Sequence, residues 1–351
     1  MGQAQATQAR DEGRIALSGS PGSPYTRKML AVLRYRRIPY RLLNGGAGRA
    51  PEGMPRPKVQ LLPTFYLPNA EGTLEAVVDS TPIIHRLERD FDGRSIIPQD
   101  PAVAFLDALI EDYADEWLTK AMFHYRWAFQ DDVDRAAAIL PCWADISAPD
   151  AEIAARSKMF SERQIGRLYV VGSNTVTGPV IEASYRRFLE AFDAHLKTSP
   201  FLLGGRPGAG DFAIYGQLTQ LAQFDPTPMA LTLKVAPRVY AWVSLMEDQS
   251  GLDPRPGDWI APDAAPATLK ALLAEIGRVY PPVMTANAKA LMSGAETVEA
   301  VVDGRPWSQS PFPYQGKCLQ WLREQHAALP PASRALIDPL MAESGCAALF
   351  A

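Results

Sequence analysis

Cysteine is scarce in this chain of 351 residues. The three cysteines lie far apart, without a Cys-x-x-Cys pair: Cys142, Cys318 and Cys346. This sparse distribution excludes a disulfide framework and a dithiol redox site, and it fits a reducing compartment, so we expect a cytoplasmic protein. The N-terminal segment has no apolar core of the kind that secretory signals carry. We predict that residues 1–13 are a disordered leader.

An excess of positive charge is also missing. The formal net charge is −4, and no basic stripe of the kind found in nucleic-acid-binding proteins is present. No apolar run approaches the roughly 18 residues that a membrane helix needs. The four histidines are scattered: His85, His124, His195 and His326. We therefore expect no nucleic-acid partner, no membrane span and no metal site.

The chain divides into three blocks of ordinary globular composition, with 47% hydrophobic and 21% charged residues. Residues 14–95 mix strand and helix signals, and residues 96–260 read as helical. Residues 261–351 follow a proline-rich linker. In that last block, extended arms on both sides of Asp303-Gly304 predict a β-hairpin between helices.

The first block begins with a βαβ pattern. A short strand, RIALSG, precedes a helix in TRKMLAVLRYRRI whose apolar residues share one side, and PYRLL reads as a second strand. We expect the basic residues of this helix to lie on its solvated side. Pro63, within the extended stretch QLLPTFYL, predicts a bulge or an edge strand because proline is poorly tolerated in a central strand.

The second block contains a long helix rich in aromatic residues, DALIEDYADEWLTKAMFHYRW. Tyr113, Trp117 and His124 lie close to one face of it. Such a stripe either packs in a core or lines a pocket. Further along, Gly208 can serve as an N-cap, and Asp211 can reach back to its amide. This is half of a capping box, because serine or threonine would be the stronger cap.

The tetrad Ser23-Pro24-Tyr25-Thr26 has the outline of a Cys-Pro-Tyr-Cys redox motif in which oxygen replaces both sulfurs. Oxygen forms no disulfide. Ser23 can cap the helix, with Pro24 at its first position. Its hydroxyl can also donate to a sulfur bound from outside, at a helix terminus that favours a thiolate. Capping alone and capping with thiol activation both remain open at this point.

Four features occur in one order: the SPYT helix start, Leu62-Pro63 in an extended segment, Asp79-Ser80 before a helix, and PFLLGGRPGAGDFAIYGQL. In this combination the chain resembles the cytosolic glutathione transferases over about residues 14–260. The resemblance implies an α/β thioredoxin-like N-terminal domain (14–95) followed by an all-α helical C-terminal domain (96–260). It does not account for the mainly helical C-terminal extension (261–351).

The resemblance also implies an activity. Glutathione is expected as co-substrate, with Ser23 stabilising its thiolate and Tyr25 as the alternative hydroxyl. The activated sulfur is expected to attack a small apolar electrophile, by conjugation, ether cleavage, dehalogenation or isomerisation. The electrophile site is expected near the aromatic helix, with Tyr113, Trp117 and His124 as candidates.

The remaining glutathione contacts follow from the same resemblance. Leu62 is expected to pair its main chain with the cysteine of glutathione, and Pro63 is expected to be cis. Asp79 suits the γ-glutamyl ammonium group, although it is one methylene shorter than the usual Glu or Gln. Ser80 is expected to cap its helix and to bind the γ-glutamyl carboxylate. A homodimer is expected. The alternative is a non-catalytic, transferase-like binding or scaffold protein.

Overall fold

The N-terminal block is built around a four-stranded sheet. The computed structural model describes residues 13–45, 50–255 and 257–351, so the predicted leader, apart from Gly13, lies outside the described residues. The elements of this block are β1 (Ile15–Gly19), α1 (Pro24–Tyr35), β2 (Tyr40–Asn44), β3 (Thr64–Pro68), β4 (Leu74–Val77) and α2 (Ser80–Asp90). The strand order is β2-β1-β3-β4, with β1 and β2 parallel and the other pairs antiparallel. The thioredoxin-like fold expected for this block is confirmed.

The structure corrects the prediction for Pro63. Strand β3 begins at Thr64 and lies between β1 and β4, so it is an inner strand. Pro63 precedes this strand instead of interrupting it, and its missing amide is not required by the sheet. The Leu62–Pro63 peptide bond is cis, as the resemblance implies.

The second block is helical throughout. Its elements are α3 (Pro101–Tyr113), a π-helical segment (Ala114–Leu118), α4 (Thr119–Ala128), α5 (Gln130–Ala144), α6 (Asp150–Ile165), a 3₁₀ turn (Leu168–Val171), α7 (Gly178–Leu196), α8 (Ala209–Leu221), α9 (Pro226–Val235) and α10 (Pro237–Met246). The long aromatic helix predicted as one element is therefore interrupted by π geometry at Ala114–Leu118. No helix in the described ranges is both long enough and apolar enough to cross a membrane.

Helix α8 begins where the half capping box predicted it. Gly208 is the N-cap, and its amide donates to Asp211 Oδ2 at 3.0 Å. The missing half comes from another helix. Asp107, on α3, accepts hydrogen bonds from the amides of Ala209 and Gly210 at 3.0 and 2.9 Å. Two buried carboxylates thus satisfy the amides that a helix start leaves unpaired.

The C-terminal block packs into the same hydrophobic core as the helical block. It consists of α11 (Ala267–Ser293), β5 (Val298–Val302), β6 (Arg305–Gln309), α12 (Pro313–Ala327), α13 (Pro331–Ser344) and a 3₁₀ turn (Cys346–Leu349). Strands β5 and β6 form the predicted antiparallel hairpin. Asp303 and Gly304 at its tip have positive φ angles of 51° and 72°, as a two-residue hairpin turn requires.

The N-terminal and helical blocks meet along α1 and α8. Gly216 on α8 faces the first turn of α1, where an added Cβ would lie 2.6 Å from the carbonyl oxygen of Pro24. A glycine is therefore needed for this close approach. At the exposed side, Arg27 and Arg34 of α1 both pair with Glu247, which follows α10. These contacts hold α1 against the helical block.

Candidate functional site

Ser23 caps helix α1. Residues 20–23 form a turn, here called the Ser23 turn, in which the amide of Ser23 donates to the carbonyl oxygen of Ser20 at 3.0 Å. Ser23 has extended backbone geometry, and its Oγ accepts from the amide of Thr26 at 3.2 Å. Pro24 occupies the first helical position. The half-buried hydroxyl therefore lies at the positive end of the helix dipole, where an anion is stabilised.

The Ser23 hydroxyl also reaches the segment before β3. Ser23 Oγ donates to the carbonyl oxygen of Leu62 at 3.3 Å. This contact joins residues 39 positions apart. It brings together two groups that the resemblance assigns to the same ligand. At 3.3 Å the bond is long for O–H···O geometry, so the hydroxyl can be redirected to another acceptor at little cost.

Tyr25 uses its hydroxyl elsewhere. Its Oη donates to the carbonyl oxygen of Asp115, in the π-helical segment, at 2.7 Å. Burial raises the pKa of Tyr25 well above its ordinary value, and the nearby carboxylates of Asp115 and Glu116 raise it further. The phenol is thus engaged between the two blocks. Ser23 is the hydroxyl that the geometry favours for a sulfur ligand.

Asp79 and Ser80 form a corner at the start of α2, here called the Asp79–Ser80 corner. Asp79 has a φ of 84°, in the left-handed region that residues other than glycine rarely occupy. It stands at the N-cap position, but its side chain makes no capping bond. Ser80 was expected to cap this helix, and that expectation is wrong. Ser80 is the first helical residue, and its hydroxyl turns inward to Lys28.

Lys28 is a buried cation beneath the Asp79–Ser80 corner. Its Nζ donates to Ser80 Oγ at 3.0 Å, and to Glu111 Oε1 and Asp115 Oδ2 at 2.7 Å each. Burial lowers the pKa of Lys28, but the two carboxylates outweigh burial and raise it above its ordinary value. The lysine is therefore charged. It ties α1, α2 and α3 together.

Lys28 corrects the prediction of a solvated basic face on α1. The side chain is 1% exposed. Ala31, Val32 and Tyr35 follow it at three, four and seven residues, and all three are buried. That spacing places Lys28 on an apolar stripe of α1. The same spacing can be read from the sequence, and it indicates that Lys28 is buried.

A buried network in the helical block holds the Ser23 turn. Arg126 on α4 donates from Nη1 to the carbonyl oxygen of Gly22 at 3.1 Å, and it pairs with Asp225 at 2.9 Å. Gln220 donates to the carbonyl oxygen of Pro21, also at 3.1 Å. These residues lie about a hundred or more positions from the turn, and no local pattern marked them. They fix the backbone directly before Ser23.

The aromatic stripe proves to be core. Trp117 donates to Ser184 Oγ at 2.9 Å, and His124 Nδ1 lies 2.7 Å from Ser173 Oγ. Tyr113 is 1% exposed, and its ring packs against Phe188 and Tyr280. Because Tyr113, Trp117 and His124 are all buried among protein neighbours, the structure favours the core interpretation over a pocket lining.

Apolar surface beside the Ser23 turn comes from α5 instead. An added Cβ on Gly22 would lie 2.6 Å from Leu140 and 3.2 Å from Trp143. Both side chains are half-buried, and the Trp143 ring packs on Phe224 with centroids 5.0 Å apart. No sequence motif marks these two residues. They place apolar groups of α5 next to Gly22, the residue before Ser23.

Two of the protein's three thiols are poorly suited to nucleophilic chemistry. Cys318 and Cys346 are buried. Burial raises the pKa of Cys346 to about 11, and it raises the pKa of Cys318 further with help from Glu116. None of the three cysteines lies in α1 or in the Ser23 turn. Within the described ranges, no group of histidine, cysteine and acidic side chains is arranged to hold a metal ion.

Comparison with known proteins decides the family. The N-terminal domain of glutathione S-transferases matches residues 17–95, and the C-terminal domain of the same family matches residues 150–244. The chain belongs to the glutathione S-transferase family. The two matched segments follow each other in the order that their names require, and the first of them contains Ser23, Leu62, Pro63, Asp79 and Ser80. No sequence among the curated proteins matches the chain.

Solved structures with a similar chain trace include several transferases. A Tau class glutathione S-transferase from mango, Mangifera indica, is 18% identical, with coverage of 74% of this chain and 96% of that one and a TM-score of 0.41. A glutathione S-transferase from Rhodospirillum rubrum is 16% identical, with coverage of 73% of this chain and 97% of that one and a TM-score of 0.41. A Burkholderia graminis glutathione transferase is 15% identical, with coverage of 66% of this chain and 83% of that one and a TM-score of 0.40. At such scores these likenesses add nothing to the family assignment, which rests on the two domain matches.

Proposed function

We propose that this member of the glutathione S-transferase family is a glutathione-dependent transferase in which Ser23 stabilises the glutathione thiolate. The observation that carries the proposal is the contact of Ser23 Oγ with the carbonyl oxygen of Leu62, at the amino end of α1. A cysteine residue seated there can pair its backbone with Leu62 and place its sulfur at the Ser23 hydroxyl. The protein then ionises a borrowed thiol, since no cysteine of its own lies at α1.

The energies are sufficient for that role. Lowering a thiol pKa by about two units requires roughly 2.7 kcal/mol of preferential thiolate binding. One hydrogen bond to a charged group contributes about 1.5–3 kcal/mol. A helix amino terminus adds about 0.3–1 kcal/mol. The Ser23 hydroxyl together with the end of α1 therefore accounts for the required stabilisation.

The Asp79–Ser80 corner suits the γ-glutamyl end of glutathione. Ser80 Oγ accepts from Lys28, so its own proton is directed away from the lysine and can be donated to a carboxylate. The amino end of α2 favours the same anion. Asp79 supplies the opposite charge for the neighbouring ammonium group. One corner thus offers complementary partners for both charged groups of an α-amino acid.

For the second substrate we propose a small apolar electrophile bound on the α5 side of the Ser23 turn. Leu140 and Trp143 provide apolar surface there. This replaces the buried residues Tyr113, Trp117 and His124 as the proposed lining. The thiolate attacks the electrophilic carbon of this substrate. The overall reaction is then conjugation, ether cleavage, dehalogenation or isomerisation, depending on the identity of the electrophile.

Kinetics of a Ser23→Ala variant test the proposal. Loss of a charge-assisted hydrogen bond of about 1.5–3 kcal/mol lowers kcat/KM roughly 10- to 150-fold. The matched control is Ser244→Ala, which alters an exposed serine on α10 that accepts only a surface hydrogen bond from Gln223. This control should keep wild-type activity. Glutathione affinity, measured by calorimetry, should change little in either variant.

Two outcomes would count against this function. Absence of any heat of glutathione binding to the wild-type protein would overturn it. Glutathione binding without turnover of a broad panel of electrophiles would instead support the non-catalytic binding or scaffold protein.

A further inference from the structure

The C-terminal block reaches the Asp79–Ser80 corner. Tyr314, in the first turn of α12, donates its phenolic hydrogen bond to Asp79 Oδ2 at 2.7 Å. The two residues are 235 positions apart. Both side chains are half-buried, so the contact lies at the rim of the site. A part of the chain outside both matched domains therefore touches the carboxylate proposed to receive the glutathione ammonium group.

Tyr314 is held in place from behind. The side-chain amide of Asn287, on α11, donates to the carbonyl oxygen of Phe312 at 3.0 Å and accepts from the amide of Phe312 at 2.8 Å. Asn287 is fully buried. This two-way clamp fixes the residue from which α12 starts, two positions before Tyr314. The phenol is thus presented by a rigid element, which suits a residue that orients another group.

A small acidic cavity lies beside Thr81, the residue that follows the Asp79–Ser80 corner. Its volume is about 40 Å³, and it is lined by Glu111, Asp115 and Glu116 on one side and by Tyr314 and Cys318 of α12 on the other. A buried water needs about 10–15 Å³. The cavity can therefore hold a group the size of an ammonium ion with a water, but not a tripeptide. Helix α12 forms one wall of it.

One carboxylate oxygen of a residue that lines this cavity has no hydrogen-bond partner within the described ranges. Asp115 is 7% exposed. Its Oδ2 is paired with Lys28 at 2.7 Å, but its Oδ1 makes no hydrogen bond to any residue that the structure describes. A buried carboxylate oxygen left unpaired is costly.

From these contacts we infer that Tyr314 is a positioning residue for the γ-glutamyl ammonium group of glutathione, acting by orienting the Asp79 carboxylate. The inference rests on the proposed function. Asp79 has two oxygens with several lone pairs, so the bond from Tyr314 leaves room for the ammonium donor. The strained backbone of Asp79, with its φ of 84°, aims the carboxylate, and Tyr314 holds it there.

Charge also supports this role. Burial raises the pKa of Asp79 above its ordinary value, and the hydrogen bond from Tyr314 and the charge of Lys28 offset part of that rise. The phenol therefore helps to keep Asp79 ionised in a half-buried position. An ionised carboxylate is what an ammonium ligand requires. The C-terminal block then forms part of the glutathione site.

Calorimetry with two ligands tests the inference. Reduced glutathione and its analogue lacking the α-amino group are titrated into the wild type, Tyr314→Phe and the exposed control Tyr169→Phe. Tyr314→Phe should weaken glutathione about 10-fold, as expected for loss of a hydrogen bond to a charged group. Affinity for the analogue should stay unchanged, because it has no ammonium group. The control should match the wild type for both ligands.

The remaining outcomes are distinct. No binding of glutathione to the wild type would remove the proposed function, and this inference with it. If the wild type binds glutathione, three results for Tyr314→Phe would overturn the inference alone. These are an equal loss of affinity for both ligands, no change in affinity, and tighter binding of glutathione. Should Tyr314→Phe fail to fold, Tyr314→Leu serves as the second variant. It must weaken glutathione and spare the analogue, and equal affinity losses would overturn the inference.

Discussion

The buried pair of Arg126 and Asp225 provides a prediction that separates stability from positioning. Their side chains are 4% and 0% exposed and lie 2.9 Å apart. Replacing Arg126 with methionine leaves Asp225 buried without its partner. Breaking a buried pair in this way costs about 3–5 kcal/mol. This is a large part of the roughly 5–15 kcal/mol that stabilises a folded protein, so denaturant unfolding should detect it readily.

Replacing both partners gives the informative variant. In Arg126→Met with Asp225→Leu, neither charge of the pair remains, and such apolar replacements are often neutral in stability. The carbonyl oxygen of Gly22 still loses its donor, which lay at 3.1 Å. We therefore expect the double variant to regain most of the unfolding free energy while its kcat/KM stays low, because the Ser23 turn is released.

The control is a surface pair with similar chemistry. Arg186 and Glu190 are 4.0 Å apart, four positions from each other on α7, and about half exposed. Arg186→Met should change the unfolding free energy by less than about 0.5 kcal/mol. The reasoning is refuted if the double variant recovers both stability and activity, or if Arg126→Met costs no more than this surface control.

Two further predictions concern helix α8. Gly216→Ala should cost roughly 1–3 kcal/mol of unfolding free energy and lower activity, because the new Cβ would lie 2.6 Å from the carbonyl oxygen of Pro24. The control is Gly251→Ala, where an added Cβ would have no atom within 4 Å. Equal effects of the two substitutions would contradict the packing argument. Burial raises the pKa of Asp211 from 3.8 to about 7, so the folded protein holds this proton more tightly than the unfolded chain does. The resulting contribution to the unfolding free energy is full below about pH 4 and is lost as the pH rises through 7. Asp211→Asn should flatten the dependence of unfolding free energy on pH across that window, and an unchanged slope would refute the assignment.

Local chemistry was enough to predict several elements. The start of α1 at Ser23-Pro24, the half capping box at Gly208 and the hairpin turn at Asp303-Gly304 depend on residues within a few positions of one another. Each follows from backbone preferences and a single side-chain contact. The structure confirms all three.

Long-range contacts account for what could not be predicted. The second half of the α8 cap comes from Asp107, about a hundred positions earlier, and the bond from Tyr314 to Asp79 spans 235 positions. The solvated face expected for α1 fails at Lys28, because two acids on other elements stabilise that buried charge. Such pairs arise from the packing of whole elements, which no local pattern contains.

Ionisation of bound glutathione tests the central claim most directly. The ultraviolet absorbance of the thiolate is followed against pH for glutathione bound to the wild-type protein and to Ser23→Ala. The account predicts a bound thiol pKa about two units below that of free glutathione, with most of this shift lost in the variant. A bound thiol that titrates like the free tripeptide, or an equal shift in both proteins, would contradict it.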